Sequence, residues 1–146
     1  MKKKILMIAT GGTIASKETS EGLAPAISPN ELLACVPEVA EACDVETVRP
    51  FNLDSTNVYA PHWLEIASIV ERNYAAYDGF VVTHGTDTMA YTAAALSYLI
   101  QNSAKPVVLT GSQRSVYSRD TDARRNLSDA FLYCADSSAY GVRIVF

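Results

Sequence analysis

Three apolar runs, each rich in β-branched residues and each closing on a threonine, constrain this chain more than any other feature: residues 4–10 (KILMIAT), 79–83 (GFVVT) and 106–110 (PVVLT). An apolar run without polar alternation is the pattern of a strand buried on both faces. Residues 141–146 (GVRIVF) form a fourth candidate, and residues 44–48 a weaker fifth.

Between the runs the apolar period lengthens. Trp63, Ile66, Ala67, Val70 and Tyr74 recur at three- and four-residue steps, as do Leu127, Ala130, Phe131 and Cys134. The alanine- and leucine-rich stretch 88–101 is a further helix, and Ser28-Pro29-Asn30-Glu31 reads as an N-cap serine, a first-turn proline and a capping-box glutamate. The order is β-α-β-α-β-α-β-α-β. Strands joined through helices need crossover connections, which predicts an α/β fold: a Rossmann-like or flavodoxin-like parallel sheet with helices on both faces. Ligands bind such sheets at the carboxyl ends of the strands. No repeat, low-complexity tract or linker divides residues 1–146, so a single domain is expected.

Composition narrows the ligand. At 49% hydrophobic and 19% charged residues the balance is that of a globular domain, and a net charge of −4 gives no reason to expect nucleic acid or an anionic membrane as partner. A small molecule is the better expectation. No apolar run approaches the roughly 20 residues that span a bilayer. Residues 1–9 imitate the start of a signal peptide, but Thr10-Gly11-Gly12 ends the apolar stretch too early. Cys35, Cys43 and Cys134 are scattered without paired spacing, and His62 and His84 are the only histidines. The expectation is a cytoplasmic protein without a metal site or cofactor.

Polar residues concentrate after the strands. Thr10-Gly11-Gly12-Thr13 lets the backbone turn tightly and present the Thr13 hydroxyl, although it lacks the spacing of a phosphate-binding loop. Thr83-His84-Gly85-Thr86-Asp87-Thr88 packs hydroxyls, a carboxylate and an imidazole into one turn, where capping alone needs only one of them. Asn52-Leu53-Asp54-Ser55-Thr56-Asn57 and Thr110-Gly111-Ser112-Gln113 hold corresponding places after other strands. Judged singly, each of these is also an ordinary polar loop. No GxSxG elbow follows any strand, which argues against a Ser-His-Asp triad, and His84 is expected to be a structural hydrogen-bonding residue.

Taken together, TGGTIAS, NLDSTN, YDGFVVTHGTDTMAYTAAALSYL and KPVVLTGSQ make residues 4–146 resemble the amino-terminal part of bacterial type I L-asparaginases. The resemblance implies hydrolysis of L-asparagine to L-aspartate and ammonia through a threonine acyl-enzyme, with Thr13 as nucleophile. It further implies that Ser55 holds the substrate α-carboxylate with Asp54 and Thr56 beside it, and that Asp87 pairs with the α-ammonium. Thr86 becomes the second catalytic threonine, in a relay with Asp87 and a lysine, and the Gly111-Ser112 turn faces the amide. Family members assemble as homodimers and homotetramers.

Two departures stand against the family pattern. Leu23 occupies about the position where many relatives place a tyrosine near the nucleophile, while other relatives carry a similar GLAP segment. Family chains also continue beyond the strand matching residues 141–146, and the relay lysine lies in that continuation. The expectation is therefore an amino-terminal asparaginase domain, incomplete at its carboxyl end, from a truncated, split or frame-interrupted gene. The alternative expectation is an inactive amino-acid-binding remnant or half of a split enzyme. A tRNA-dependent amidotransferase subunit carries an asparaginase-like domain as well, together with further domains.

Overall fold

A computed structural model of the chain describes residues 2–20 and 22–146, with the side chains of Glu18, Leu23 and Pro25 outside the description. In chain order the elements are β1 (Lys3–Ala9), β2 (Ser16–Thr19), β3 (Gly22–Pro25), α1 (Pro29–Ala34), α2 (Val39–Ala42), β4 (Cys43–Val48), α3 (Ala60–Asn73), β5 (Gly79–Thr83), α4 (Met89–Leu99), β6 (Pro106–Thr110), α5 (Ala123–Ala135) and β7 (Gly141–Ile144).

Strands β4, β1, β5, β6 and β7 lie side by side in that order, all parallel. Counting sheet strands alone, the order is second, first, third, fourth, fifth, as in flavodoxin-type sheets. Alternate residues of β1 divide between two cores. Ile5 and Met7 join Leu32, Val39, Leu127 and Phe131 on the face covered by α1, α2 and α5, and Leu6 and Ile8 join Ile66, Val70, Met89 and Leu96 under α3 and α4. This two-sided burial is why the strands read as unbroken apolar runs. Each fully buried Ile, Leu or Phe contributes about 1.5–3 kcal/mol, so the sheet is a rigid platform for the loops at its carboxyl edge.

Local chemistry fixes the element ends. The capping box at Ser28 forms as expected: Glu31 N–H donates to Ser28 Oγ at 3.2 Å, and Ser28 N–H donates to Glu31 Oε2 at 2.8 Å. The helix it opens is short, and the chain passes Pro37 before α2 begins. Strand β1 stops at Ala9, one residue before the expected end, where the Thr10 side chain turns back to donate to Thr83 O at 2.8 Å.

The hairpin β2–β3 is absent from the sequence expectation because KETSEGLAP shows neither alternation nor an apolar run. Its backbone pairs Glu18 with Leu23, but the expected comparison of the Leu23 side chain with a tyrosine lies outside the described residues. Among the described residues the outer edge of β7 has no strand partner, and Ile144 and Phe146 are exposed. No helix among them is long and apolar enough to cross a membrane.

Candidate active site

In this strand order the connections leave β1 and β5 in opposite directions, which opens a crevice at their carboxyl ends. Ile8 pairs with both Val48 and Val82, so β1, β4 and β5 end in line and their loops emerge together. The loop after β4 is stitched onto the loop after β1: Gly12 N–H donates to Leu53 O at 3.0 Å and Leu53 N–H donates to Thr10 O at 2.9 Å.

Two glycines let the three loops touch. Gly12 has φ 81°, and a Cβ added there would lie 2.5 Å from Gly85 N. Gly85 in turn packs on Ser55, where an added Cβ would lie 2.6 Å from Ser55 Oγ. The 3₁₀ turn Thr13–Ala15 follows directly, anchored by the buried Ile14 and Ala15 and tied to Gly12 O by Ser16 Oγ at 2.9 Å. Thr13 is thereby held half-buried at the crevice while its neighbours are locked in the core.

The hydroxyls around this crevice fall into two groups. Those of Thr10, Ser16, Thr88, Thr92, Ser112 and Ser115 are spent on protein acceptors. Those of Thr13, Ser55, Thr83 and Thr86 make no side-chain hydrogen bond among the described residues, although Ser55 and Thr83 are buried. Polar groups near a core are normally paired; Thr83 closes β5 itself, and the free hydroxyls of Thr13, Ser55 and Thr86 on three converging loops are what a ligand site leaves open. Asp87 follows Thr86, is exposed and has no ion-pair partner among the described residues, so its carboxylate is open to a cation.

Three other candidate residues are arranged differently. Asp54 caps the 3₁₀ turn 55–57, with Thr56 N–H at 2.9 Å and Thr56 Oγ at 2.7 Å both donating to Asp54 Oδ1. These bonds hold the Asp54 carboxyl below its ordinary range. Asp54 and Thr56 thus satisfy one another and shape the turn that aims Ser55. Ser112 is buried and donates to Arg114 O at 2.5 Å.

Sequence reasoning missed the supports behind these loops. The Asp122 carboxylate accepts from Gln113 N–H at 2.8 Å and Arg114 N–H at 3.1 Å, and Asn126 Nδ2 donates to Gly111 O at 3.0 Å. Their four-residue spacing, which puts both on one face at the start of α5, was the available signal. His84 is fully buried, and burial lowers its pKa below the ordinary imidazole value. Among the described residues no cluster of His, Cys, Asp or Glu is arranged to hold a metal.

A cavity of about 610 Å³ lies elsewhere, beside Leu64, Tyr74, Leu99 and Asn102 of α3, α4 and the turns that follow them. None of the candidate site residues lines it.

A family model described as asparaginase, N-terminal, matches residues 4–146. The chain belongs to this asparaginase family. Over 98% of its length it is 41% identical to an L-asparaginase of Thermococcus kodakarensis, whose solved structure superimposes with a TM-score of 0.88. It covers all of itself on the L-asparaginase I structure from Vibrio cholerae, at 37% identity and a TM-score of 0.89. It is also 45% identical over 85% of its length to a glutamyl-tRNA(Gln) amidotransferase subunit of Pyrococcus abyssi. The asparaginase-family chain spans 44% of the Thermococcus enzyme, 45% of the Vibrio chain and 29% of the amidotransferase subunit.

Proposed function

We propose that these residues form the substrate-holding part of an L-asparagine amidohydrolase site, with Thr13 as nucleophile. The supporting observation is the convergence of three unbonded hydroxyls, Thr13, Ser55 and Thr86, and the open Asp87 carboxylate at the switch point of the sheet.

In this reading Asp87 takes the substrate α-ammonium and Ser55 its α-carboxylate, which leaves the side-chain amide toward Thr13. Thr13 Oγ attacks the amide carbonyl and the C–N bond breaks. The nitrogen leaves as ammonia, and water then cleaves the ester to release L-aspartate and restore the hydroxyl. Thr86 passes the proton of Thr13 toward a base, because an unassisted hydroxyl is a weak nucleophile. Backbone groups of the Gly111-Ser112 turn border the amide.

The base comes from outside the described lysines. Lys105 Nζ donates to Tyr77 O at 2.6 Å near the opposite edge of the sheet, Lys4 pairs with Glu46, and Lys17 pairs with Glu31. Lys2 and Lys3 lie at the start of β1, also at that opposite edge. A lysine supplied by further polypeptide, in the same chain or in a partner copy, completes the relay. The residues in hand are thus an amino-terminal asparaginase domain working inside the cell, in a homo-oligomer.

A second reading follows from the amidotransferase relative, in which the same chemistry releases ammonia for transfer. A pocket separates asparagine from glutamine by about 1–3 kcal/mol at most for the single methylene, so both amides belong in the assay.

Two measurements test the proposal. Titration with L-aspartate, the product, should show binding that Asp87→Asn weakens about tenfold or more. Ammonia release from L-asparagine by residues 1–146 alone should not exceed that of a Thr13→Ala control. Failure to bind L-aspartate would remove the site assignment, whereas release abolished in the control would keep the site and overturn the missing base.

A further inference from the structure

A chain of hydrogen bonds, part-buried at Trp63 and buried from Thr92 onward, runs from α3 to the loop that carries Thr86. Trp63 Nε1 lies 3.0 Å from Thr92 Oγ1, Thr92 Oγ1 lies 2.8 Å from His84 Nε2, and His84 Nδ1 lies 2.7 Å from Gly85 O. His84 and Thr92 are both fully buried.

The direction of every bond in this chain is fixed by its ends. An indole N–H can only donate, and a carbonyl oxygen can only accept. Thr92 Oγ1 therefore accepts from Trp63 and sends its own proton to His84 Nε2, and His84 carries its proton on Nδ1 for Gly85 O. The opposite tautomer would set the Nδ1 lone pair against the Gly85 carbonyl, a buried mismatch, and would leave Thr92 Oγ1 accepting from both Trp63 and His84.

This assignment governs the peptide joining Gly85 to Thr86. In a planar trans peptide the carbonyl and the next N–H point to opposite sides, so tying Gly85 O to the imidazole turns Thr86 N–H away from the ring. Gly85 has no side chain of its own to hold that plane, and it is the residue in contact with both Ser55 and Gly12. An untied glycine peptide rotates readily. Without the tie, the turn presenting Thr86 and Asp87 would lose its orientation against Ser55.

We propose that Trp63, Thr92 and His84 are positioning residues that hold the Gly85–Thr86 peptide plane and thereby set the geometry of Thr86 and Asp87. The consequence for chemistry rests on the amidohydrolase reading above; the tie itself does not. Trp63 and Thr92 sit on two different helices, α3 and α4, so the chain also fixes the loop to the packing of both.

The test replaces the central hydroxyl and reads the loop directly. In ¹⁵N spectra of the histidine rings, His84 should appear as the neutral Nδ1–H tautomer. Thr92→Val should speed amide exchange in residues 85–88 by about tenfold, the scale of one lost buried hydrogen bond, with Ile5, Met7 and Ile8 unchanged. Thr92→Ser, which keeps the hydroxyl, should restore slow exchange. Trp63→Phe, read in the same way, serves if the valine variant does not fold, and should loosen the same residues. An Nε2–H tautomer, or exchange at 85–88 unmoved or moved equally with the core, would overturn the proposal. L-Aspartate titration of the same samples reads separately: wild-type protein that shows the tie but no binding would sink the amidohydrolase reading and leave the positioning chain standing.

Discussion

Gly12 and Gly85 face one another across the crevice so closely that a single methyl on Gly12 would fall 2.5 Å from Gly85 N and 2.6 Å from its Cα. The loop after β1 and the loop after β5 are thus in backbone contact, and Ser55 lies against the same glycine. Gly12→Ala should cost on the order of 2–4 kcal/mol in urea denaturation, because it adds a positive-φ strain to a clash with backbone that cannot swing aside. An alanine at Gly12 that left the midpoint unmoved would mean that the loops are not in contact.

Gly85→Ala should behave differently. Its nearest obstruction is the Ser55 side chain rather than backbone, so the stability loss should be smaller, about 1–3 kcal/mol. L-Aspartate binding should fall more than stability does, since Ser55 must move off its position. Calorimetric titration beside a melting curve separates the two effects.

Thr10 and Thr13 are three residues apart and should respond oppositely to loss of their hydroxyls. Thr10 Oγ1 donates to Thr83 O at 2.8 Å in a buried setting, so Thr10→Val should cost about 1–3 kcal/mol. Thr13 has no intramolecular bond to lose, and Thr13→Ala should stay within about 0.5 kcal/mol of wild type. A large destabilisation by Thr13→Ala would point to a structural hydroxyl instead of a nucleophile.

Glu31 gives the fold a pH-dependent element. Its carboxylate accepts from Ser28 N–H and, with the Ser28 hydroxyl and Lys17, this holds its pKa down to about 2 from 4.5. A depressed carboxyl stabilises the folded state fully above its unfolded pKa, and that contribution disappears as pH falls from 4.5 toward 2. Unfolding followed across that window should show a flatter profile for Glu31→Gln than for wild type; identical slopes would disprove the role.

Cys134 is buried in the core against Phe80 O, and desolvation pushes its thiol up to about 12; burial raises Cys43 as well. Neither should react with a thiol reagent in the native state, whereas the half-buried Cys35 should be the residue modified first. Mass spectrometry after brief labelling, with and without urea, checks the order.

The five sheet strands and the helices α3, α4 and α5 were legible because each depends on a pattern local to its own residues: apolar runs for strands buried on both faces, and a helical period for elements with one face in the core. The Ser28 capping box was legible for the same reason, since both of its bonds lie within four residues. The hairpin β2–β3 was not, because it packs by backbone pairing over KETSEGLAP, a segment without pattern. By itself the sequence determined the α/β class and the sites of the polar loops, and through the family resemblance it offered Thr13, Asp54, Ser55, Thr56, Thr86, Asp87 and Ser112 as candidates. Only the tertiary structure decided that the loops after β1, β4 and β5 meet, through Gly12, Gly85 and Ser55, and which hydroxyls stay free when they do. It also decided that His84 is tied to Thr92 and Trp63. Contacts of this kind join residues many positions apart, and their bonds depend on which strands become neighbours, a choice that no local periodicity encodes.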